Sequence, residues 1–232
     1  MNSDFPDRTS IQVVTTTVII PVLNEAPHIE EVLAPLVETD VIVVDGGSTD
    51  STLTILAGCY VKVIQAQKGR ARQMNAGADE ATGDILIFLH ADTRLPEGWQ
   101  NDLQDFSDSK KVWGRFNVQF DETTPAFSVI AFMMNWRSRL TGICTGDQAI
   151  FIRRPVFDKL NGFADILLME DIDISRRLRR ESWPYCIPGK ATTSARRWRA
   201  RGLIRTILHM WWYRLQYFFG VSSEKLVKSY YS

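Results

Sequence analysis

Four short apolar runs, three of them rich in β-branched residues, alternate with stretches of helical spacing in the first ninety residues. No other feature restricts the fold as much. "VVTTTVII" (13–20), "VIVV" (41–44), "VKVI" (61–64) and "DILIFLH" (84–90) read as strands. Between the first two, Ile29, Val32, Leu33, Leu36 and Val37 recur at helical spacing. Pro27 suits a first helical turn, and Pro35 should kink or end the helix. Pro21 and "NEAP" are expected to break the first strand. Residues 50–57 read as a short helix ending at Gly58, and residues 70–82 as a small-residue helix closing at Gly83. The βαβ series predicts an α/β fold with a mostly parallel central sheet and helices on both faces. Ligands bind outside the carboxyl ends of such strands. Asn24, Glu25, Asp45 and Asp92, which follow the strands, should therefore share one crevice.

The second half is less regular. "VWGRFNVQF" (112–120) and "DQAIFIRR" (147–154) read as strands, and residues 126–140 as a helix. Pro155 starts a short helix closing at Gly162, residues 170–181 form a charged helix, and a last helix covers about 202–219. Repeats and low-complexity linkers are absent. Of 232 residues 45% are hydrophobic and 23% charged, with a formal net charge of zero. That balance supplies ample core and gives no basic field, so no nucleic-acid partner is expected. The scattered Cys59, Cys144 and Cys186 read as buried thiols of a reducing compartment. The polar N-terminus lacks a signal-type apolar region, and no run is long enough to span a bilayer, so the expected location is cytoplasmic.

Several polar residues admit both a structural and a chemical reading. Asp45, before Gly-Gly-Ser-Thr-Asp, forms either a plain turn or a contact to a base or ribose. No dinucleotide fingerprint or Walker A sequence is present. Asp92, at a sheet edge, either caps a turn or offers a hard oxygen to Mg²⁺ or Mn²⁺. Lys68, Arg70 and Arg72 stand near a helix start, where cations oppose the dipole; a bound polyanion would explain them, as would a solvated face. Glu170, Asp171 and Asp173 favour a first helical turn, and one of them could be a general base with its pKa raised by burial or a neighbouring carboxylate.

"VIIPVLNE", "VIVVDGGSTDST", "KGRARQMNAGADEATGDILIFLHADT", "GDQAIFIRR", "MEDIDISRRLR" and "RRW" occur in the order found in family 2 glycosyltransferases. The chain resembles that family over roughly residues 16–200, and within it the small bacterial members encoded near radical-SAM and arsenosugar genes. The resemblance implies a GT-A (Rossmann-like) fold that transfers one sugar from a nucleotide-diphosphate sugar (UDP- or GDP-sugar) to an acceptor hydroxyl, with inversion. It implies that Pro21, Asn24 and Glu25 line the nucleotide pocket, that Asp45 contacts base or ribose, and that Lys68, Arg70 and Arg72 lie near the pyrophosphate. Asp92 would ligate Mg²⁺ or Mn²⁺, with His90 as partner. Asp147 and Gln148 would face the donor and acceptor sugars, Asp171 would be the base with Glu170 beside it, and Arg197 and Trp198 would cap the donor.

Three departures from the family pattern bear on function. Asp45-Gly46-Gly47-Ser48 stands where Asp-Asp-Gly-Ser is usual, and His90-Ala91-Asp92 where Asp-x-Asp is usual. The Gln-x-x-Arg-Trp signature of processive members is Ser194 to Trp198 here, which favours addition of a single sugar. The expected organisation is a disordered N-terminus (1–10), a catalytic domain (11–200) and an amphipathic helical tail (201–232). The domain divides into a nucleotide-sugar half (11–100) and an acceptor half (101–200). In the tail Ile204, Ile207, Leu208, Trp211, Trp212, Leu215, Phe218 and Phe219 share a face, opposite Arg205, His209, Arg214 and Gln216. That helix (203–219) either packs on its own domain or a second copy, making a homodimer, or lies peripherally on the inner membrane face. The acceptor is then a small molecule or lipid-linked. The rival readings are a nucleotidyltransferase, which needs a Gly-rich basic loop where this chain has "PVLNE", and a non-catalytic nucleotide-binding or membrane-associated scaffold.

Overall fold

A computed structural model of the chain describes residues 14–230. The expectation for residues 1–10 lies outside the described residues. In chain order the elements begin with β1 (Thr16–Val22), α1 (Ile29–Leu33), β2 (Asp40–Asp45), α2 (Thr52–Leu56), β3 (Lys62–Gln65), α3 (Arg70–Glu80), β4 (Ile85–Phe88) and β5 (Thr93–Arg94). They continue through α4 (Trp99–Ser107), β6 (Trp113–Phe120), α5 (Pro125–Thr141), β7 (Ile150–Arg153), α6 (Arg154–Lys159) and α7 (Glu170–Glu181). Then come β8 (Tyr185–Thr193), α8 (Arg196–Arg201), α9 (Leu203–Phe218) and α10 (Ser223–Tyr230).

One sheet of order β3-β2-β1-β4-β7-β6-β8-β5 runs through both halves. β3, β2, β1 and β4 are mutually parallel, as the βαβ series predicts. β7 reverses the direction against β4, and β6 against β7. Ile19, Ile42, Val44 and Phe88 pack under α3, while Val18, Ile20, Val43 and Ile87 pack on the opposite face. Both faces of the central strands are thus dry, which is why their sequences read as unbroken apolar runs. A Cβ on Gly77 would stand 2.5 Å from Ile19 Cγ2, so only glycine lets α3 lie this close to β1.

The strand β1 continues through Pro21 to Val22, where a break was expected. Ile19 faces β4, since its carbonyl accepts from Leu89 N. By alternation Pro21 faces the same side, beyond the point where the β4 ladder ends at Ile19, so its missing N–H costs nothing there. Pro35 does end α1, and a single 3₁₀ turn, Ala34–Leu36, follows. Asp147 and Gln148 belong to a second 3₁₀ turn, and the strand expected from 147 starts only at Ile150. Of the cysteines, Cys144 alone is buried; burial pushes its thiol up to about 12, and all three are free.

Gln73 of α3 joins the two strand ends that bound the crevice. Its Nε2 donates to the carbonyls of Val22 (2.9 Å) and Val44 (2.8 Å) from a buried position. Gln73→Ala removes both side-chain bonds while Val22 O keeps its bond from Gly46 N, and we expect a loss of about 1–3 kcal/mol in urea unfolding, since a net hydrogen bond contributes about 0.5–1.5 kcal/mol. An unchanged midpoint would show that water replaces the amide without penalty.

Candidate active site

The loops after β1 and β2 are knitted to each other. Asn24, at φ 57°, accepts from Thr49 N at 2.7 Å and donates its own N–H to Ser48 Oγ at 2.9 Å. Glu25 N donates to Thr52 Oγ1. Asp45 is fully buried and accepts from Gly47 N and Ser48 N, so it has the turn-forming role. Pro21 is buried inside β1. In this structure neither side chain faces open solvent, which differs from the expectation that both line a nucleotide pocket. The reason is geometric: the carboxylate folds back on the amides of its own glycine turn.

A second group of residues meets at the ends of β4 and β8 and the start of α7. The carboxylates of Asp92 and Asp147 and the imidazole of His90 place one donor atom each within 4.8 Å of one another. His90 Nδ1 lies 3.3 Å from Asp147 Oδ1, and Arg197 Nη2 lies 3.8 Å from Asp92 Oδ2. A Cβ on Gly146 would overlap the His90 ring, so this glycine is the seat of the imidazole. Burial works against the Asp147 carboxylate, but its bond to His90 and the charges of His90, Arg197 and Arg70 bring its pKa below the usual range. Two carboxylates and an imidazole at this spacing fit a divalent cation, with Asp147 as a donor that the sequence reading placed at the sugars.

The three acidic residues opening α7 divide their roles. Glu170 is buried and pairs with Arg70 at 3.4 Å. Asp173 pairs with Arg177 one turn on at 2.8 Å. Asp171 accepts from two backbone donors, Gly146 N at 3.2 Å and Ile172 N at 2.8 Å. Desolvation, then the Glu170 charge, push its carboxyl up from 3.8 to about 6. Met169 before it holds φ 71° and Ala149 holds φ 44°, left-handed conformations that cost non-glycine residues about 1–3 kcal/mol each. Both flank the site.

Not every expected residue arrives. Gln148 is fully buried and its amide bonds Ser138 Oγ, Asn135 Oδ1 and Thr145 N, which holds the 3₁₀ turn and faces no crevice. Arg72 makes a two-pronged pair with Asp165 at 2.7 and 3.1 Å, which commits its guanidinium to a neighbouring loop. Lys68 is exposed and outside the crevice lining, so of the three cations only Arg70 lines it. Arg197 and Trp198 do lie over the crevice, on α8. Arg196 beside them pairs with Glu25 at 3.2 Å and ties α8 to the β1 loop. Thr206, His209, Met210, Tyr213 and Arg214 of α9 complete the roof, and the enclosed space is about 140 Å³. The 3.6-residue pattern located α9 but not what lay beneath it.

The eight-stranded sheet, curled around a cluster of carboxylates at its strand ends, is a GT-A-like α/β fold. The chain belongs to glycosyl transferase family 2, whose profile matches residues 17–160. It is 33% identical over 104 residues to an uncharacterized glycosyltransferase of Synechocystis, a stretch covering 38% of this chain and 33% of that one. It is 35% identical over 92 residues to the pre-mycofactocin glycosyltransferase of Mycobacterium tuberculosis, covering 38% and 20%. The matched stretch is thus a third or less of the length of these relatives. Among solved structures it is similar to Staphylococcus aureus TarS 1–349 in complex with UDP (TM-score 0.63, 17% identity, covering 78% of this chain and 60% of that one). It is also similar to the Pyrobaculum calidifontis mannosyltransferase PcManGT in complex with GDP-Man and Mn²⁺ (TM-score 0.62, 21% identity, covering 87% and 60%).

Proposed function

We propose that this chain is an inverting glycosyltransferase that moves one sugar from a nucleoside-diphosphate sugar to an acceptor hydroxyl. The observation that carries the reading is Asp171. It accepts from the backbone amides of Gly146 and Ile172, its pKa is raised to about 6, and it shares a crevice with the His90, Asp92 and Asp147 donors. A base poised near neutral pH can take a proton and hold it. The acceptor O–H proton goes to the Asp171 carboxylate while the oxygen bonds the anomeric carbon. The bond from that carbon to the diphosphate breaks on the far side, and the nucleoside diphosphate leaves. One displacement inverts the configuration.

His90, Asp92 and Asp147 would hold a divalent cation, whose chemistry is to neutralise charge developing on the departing diphosphate. Carboxylates suit Mg²⁺ and Mn²⁺, and the imidazole favours Mn²⁺ of the two. Arg70 and Arg197, both lining the crevice, would add positive charge at the same diphosphate. The likeness to proteins seen with UDP and with GDP-Man supports a UDP- or GDP-sugar donor. The finer kinship with members encoded near radical-SAM and arsenosugar genes rests on sequence resemblance alone.

Thermal unfolding with UDP-, GDP-, dTDP- and CDP-sugars, each with and without Mn²⁺, tests the donor class. A cognate donor at 100 times its Kd should stabilise by about 2.7 kcal/mol. No shift with any of the four would remove the donor reading.

The tail supports a peripheral membrane role, with a homodimer contact as the competing use of the same face. No helix among the described residues is long and apolar enough to cross a membrane. In α9, Leu203, Ile207 and Met210 pack on the domain, while Trp211, Trp212, Leu215 and Phe218 are exposed. The expected single apolar face is thus split between core and surface. We predict partial, salt-sensitive flotation with anionic vesicles, weakened by Trp211→Ser with Trp212→Ser. A folded protein that never floats at low salt, and sediments as a dimer, would leave the homodimer contact instead.

A further inference from the structure

Beside the crevice lies a second space of different chemistry. A cavity of about 440 Å³ lies between α5 and α9, walled mainly by Ile130, Met133 and Met134 on one side and Ile207, Trp211 and Leu215 on the other. Trp198, Met210 and Arg214 line both this groove and the crevice, so the two adjoin. Around the groove the helices expose Phe132, Trp136, Trp211 and Phe218.

One side chain in this groove does not fit an apolar wall. Arg137 lines it, and its Nε and Nη2 are buried with no hydrogen-bond partner. Arg115, Arg154 and Arg177 each leave one buried nitrogen open but are held by carbonyls elsewhere on the guanidinium, Arg115 by Asn135, Arg154 by Gly83 and Arg177 by Gly162, whereas Arg137 leaves two open on one edge. Burial lowers the Arg137 pKa, and the carboxylates of Asp171 and Asp147 oppose that fall. Buried donors are nearly always paired, so two open N–H groups on one planar fork are a vacancy for a two-oxygen anion.

We propose that the α5–α9 groove is the acceptor site and that the acceptor is an anionic amphiphile carrying a free hydroxyl. Its chain lies between the helices, its anionic group bonds Arg137, and its hydroxyl reaches Asp171. The assignment rests on reading the crevice as a sugar-transfer site. Apolar walls hold the chain without selecting its length, and the fork selects the charge.

Binding is read from tryptophan emission, below the micellar concentration, because Trp198 and Trp211 line the groove. The probes are 1-oleoyl lysophosphatidic acid and ricinoleate, which distinguish phosphate from carboxylate, with monoolein as the uncharged lipid and glycerol 3-phosphate as the head alone. At least one anionic lipid should bind about tenfold tighter than monoolein, the scale of one charge-assisted contact, and glycerol 3-phosphate should not register. Arg137→Met should erase that preference and leave monoolein binding intact, and Arg137→Lys should restore part of it. Met133→Glu, at a half-exposed position, should weaken all three lipids. Equal affinity for charged and neutral lipid, or a preference that survives Arg137→Met, overturns the proposal. Donor-induced stabilisation measured in the same samples separates the two readings. If it persists while lipid binding fails, only the acceptor assignment falls. If it fails while the charge preference persists, the groove is a lipid site and the transfer reading falls.

Discussion

Asp171→Asn keeps the fold and donor binding and lowers kcat by about 10²–10⁴, the range expected when a positioned general base is removed. The amide has nearly the shape of the carboxylate and still accepts from Gly146 N or Ile172 N, but it cannot take the acceptor proton. The wild-type rate should fall as pH drops through about 6, because the base acts ionised. Stability moves the other way. The folded carboxyl has a pKa raised from 3.8 to about 6, so its neutral form is the favoured one. Its contribution is fully present below the unfolded pKa and is lost as pH rises through the folded value. At pH 8 the ionised group therefore costs on the order of 3 kcal/mol, taken at about 1.4 kcal/mol per unit, and Asp171→Asn recovers part of that. Thermal melts at pH 3 and pH 8 check the sign: the variant gains at pH 8 and hardly at all at pH 3, below the unfolded pKa. Turnover within about a factor of three of wild type, far inside the expected loss, would end the assignment of Asp171 as base.

We expect Asp92→Ala to abolish the Mn²⁺-dependent part of donor binding, and Asp147→Asn to do the same. These two carboxylates are the hard oxygen donors of the cluster. His90→Ala has the smaller effect, since hard divalent cations prefer oxygen. Titration calorimetry with and without Mn²⁺ separates the cases. If Asp147→Asn leaves the metal dependence intact while Asp92→Ala removes it, the ion is held at Asp92 without its neighbour. Metal dependence unchanged in both variants would place any ion elsewhere.

Much of the first half was legible because local rules and tertiary structure agree there. The runs "VIVV" and "DILIFLH" are dry on both faces, so an unbroken apolar stretch was a sufficient signal. That these strands run parallel followed from the alternation; their order, β3-β2-β1-β4, was not read. The short β5 and the irregular β8, with its shift between Phe116 and Asn117 of its partner, carry no periodicity and were not read. Pro21 misled for a related reason. Its cost depends on which neighbour its missing N–H faces, and that is a property of the assembled sheet.

The candidate site divides along the same line. The sequence alone determined that Asp92 and His90 end a buried strand, that Asp171 opens a helix, and that a βαβ series sets such residues at one sheet edge. Whether a side chain turns into the crevice or back onto its own loop is decided by contacts that the spacing of residues does not show, many of them remote in sequence. Asp45 and Gln148 fold back on nearby amides and hydroxyls, and Arg72 is taken by Asp165, ninety-three residues away. Asp173 and Glu170 find cations, which leaves Asp171 as the carboxylate held by backbone amides. Asp147 joins His90 and Asp92 across fifty-seven residues. Tertiary structure alone decided the Arg72–Asp165, Glu170–Arg70 and Asp147–His90 pairings, because hydrogen bonding and desolvation act over a few ångströms between groups that only folding brings together.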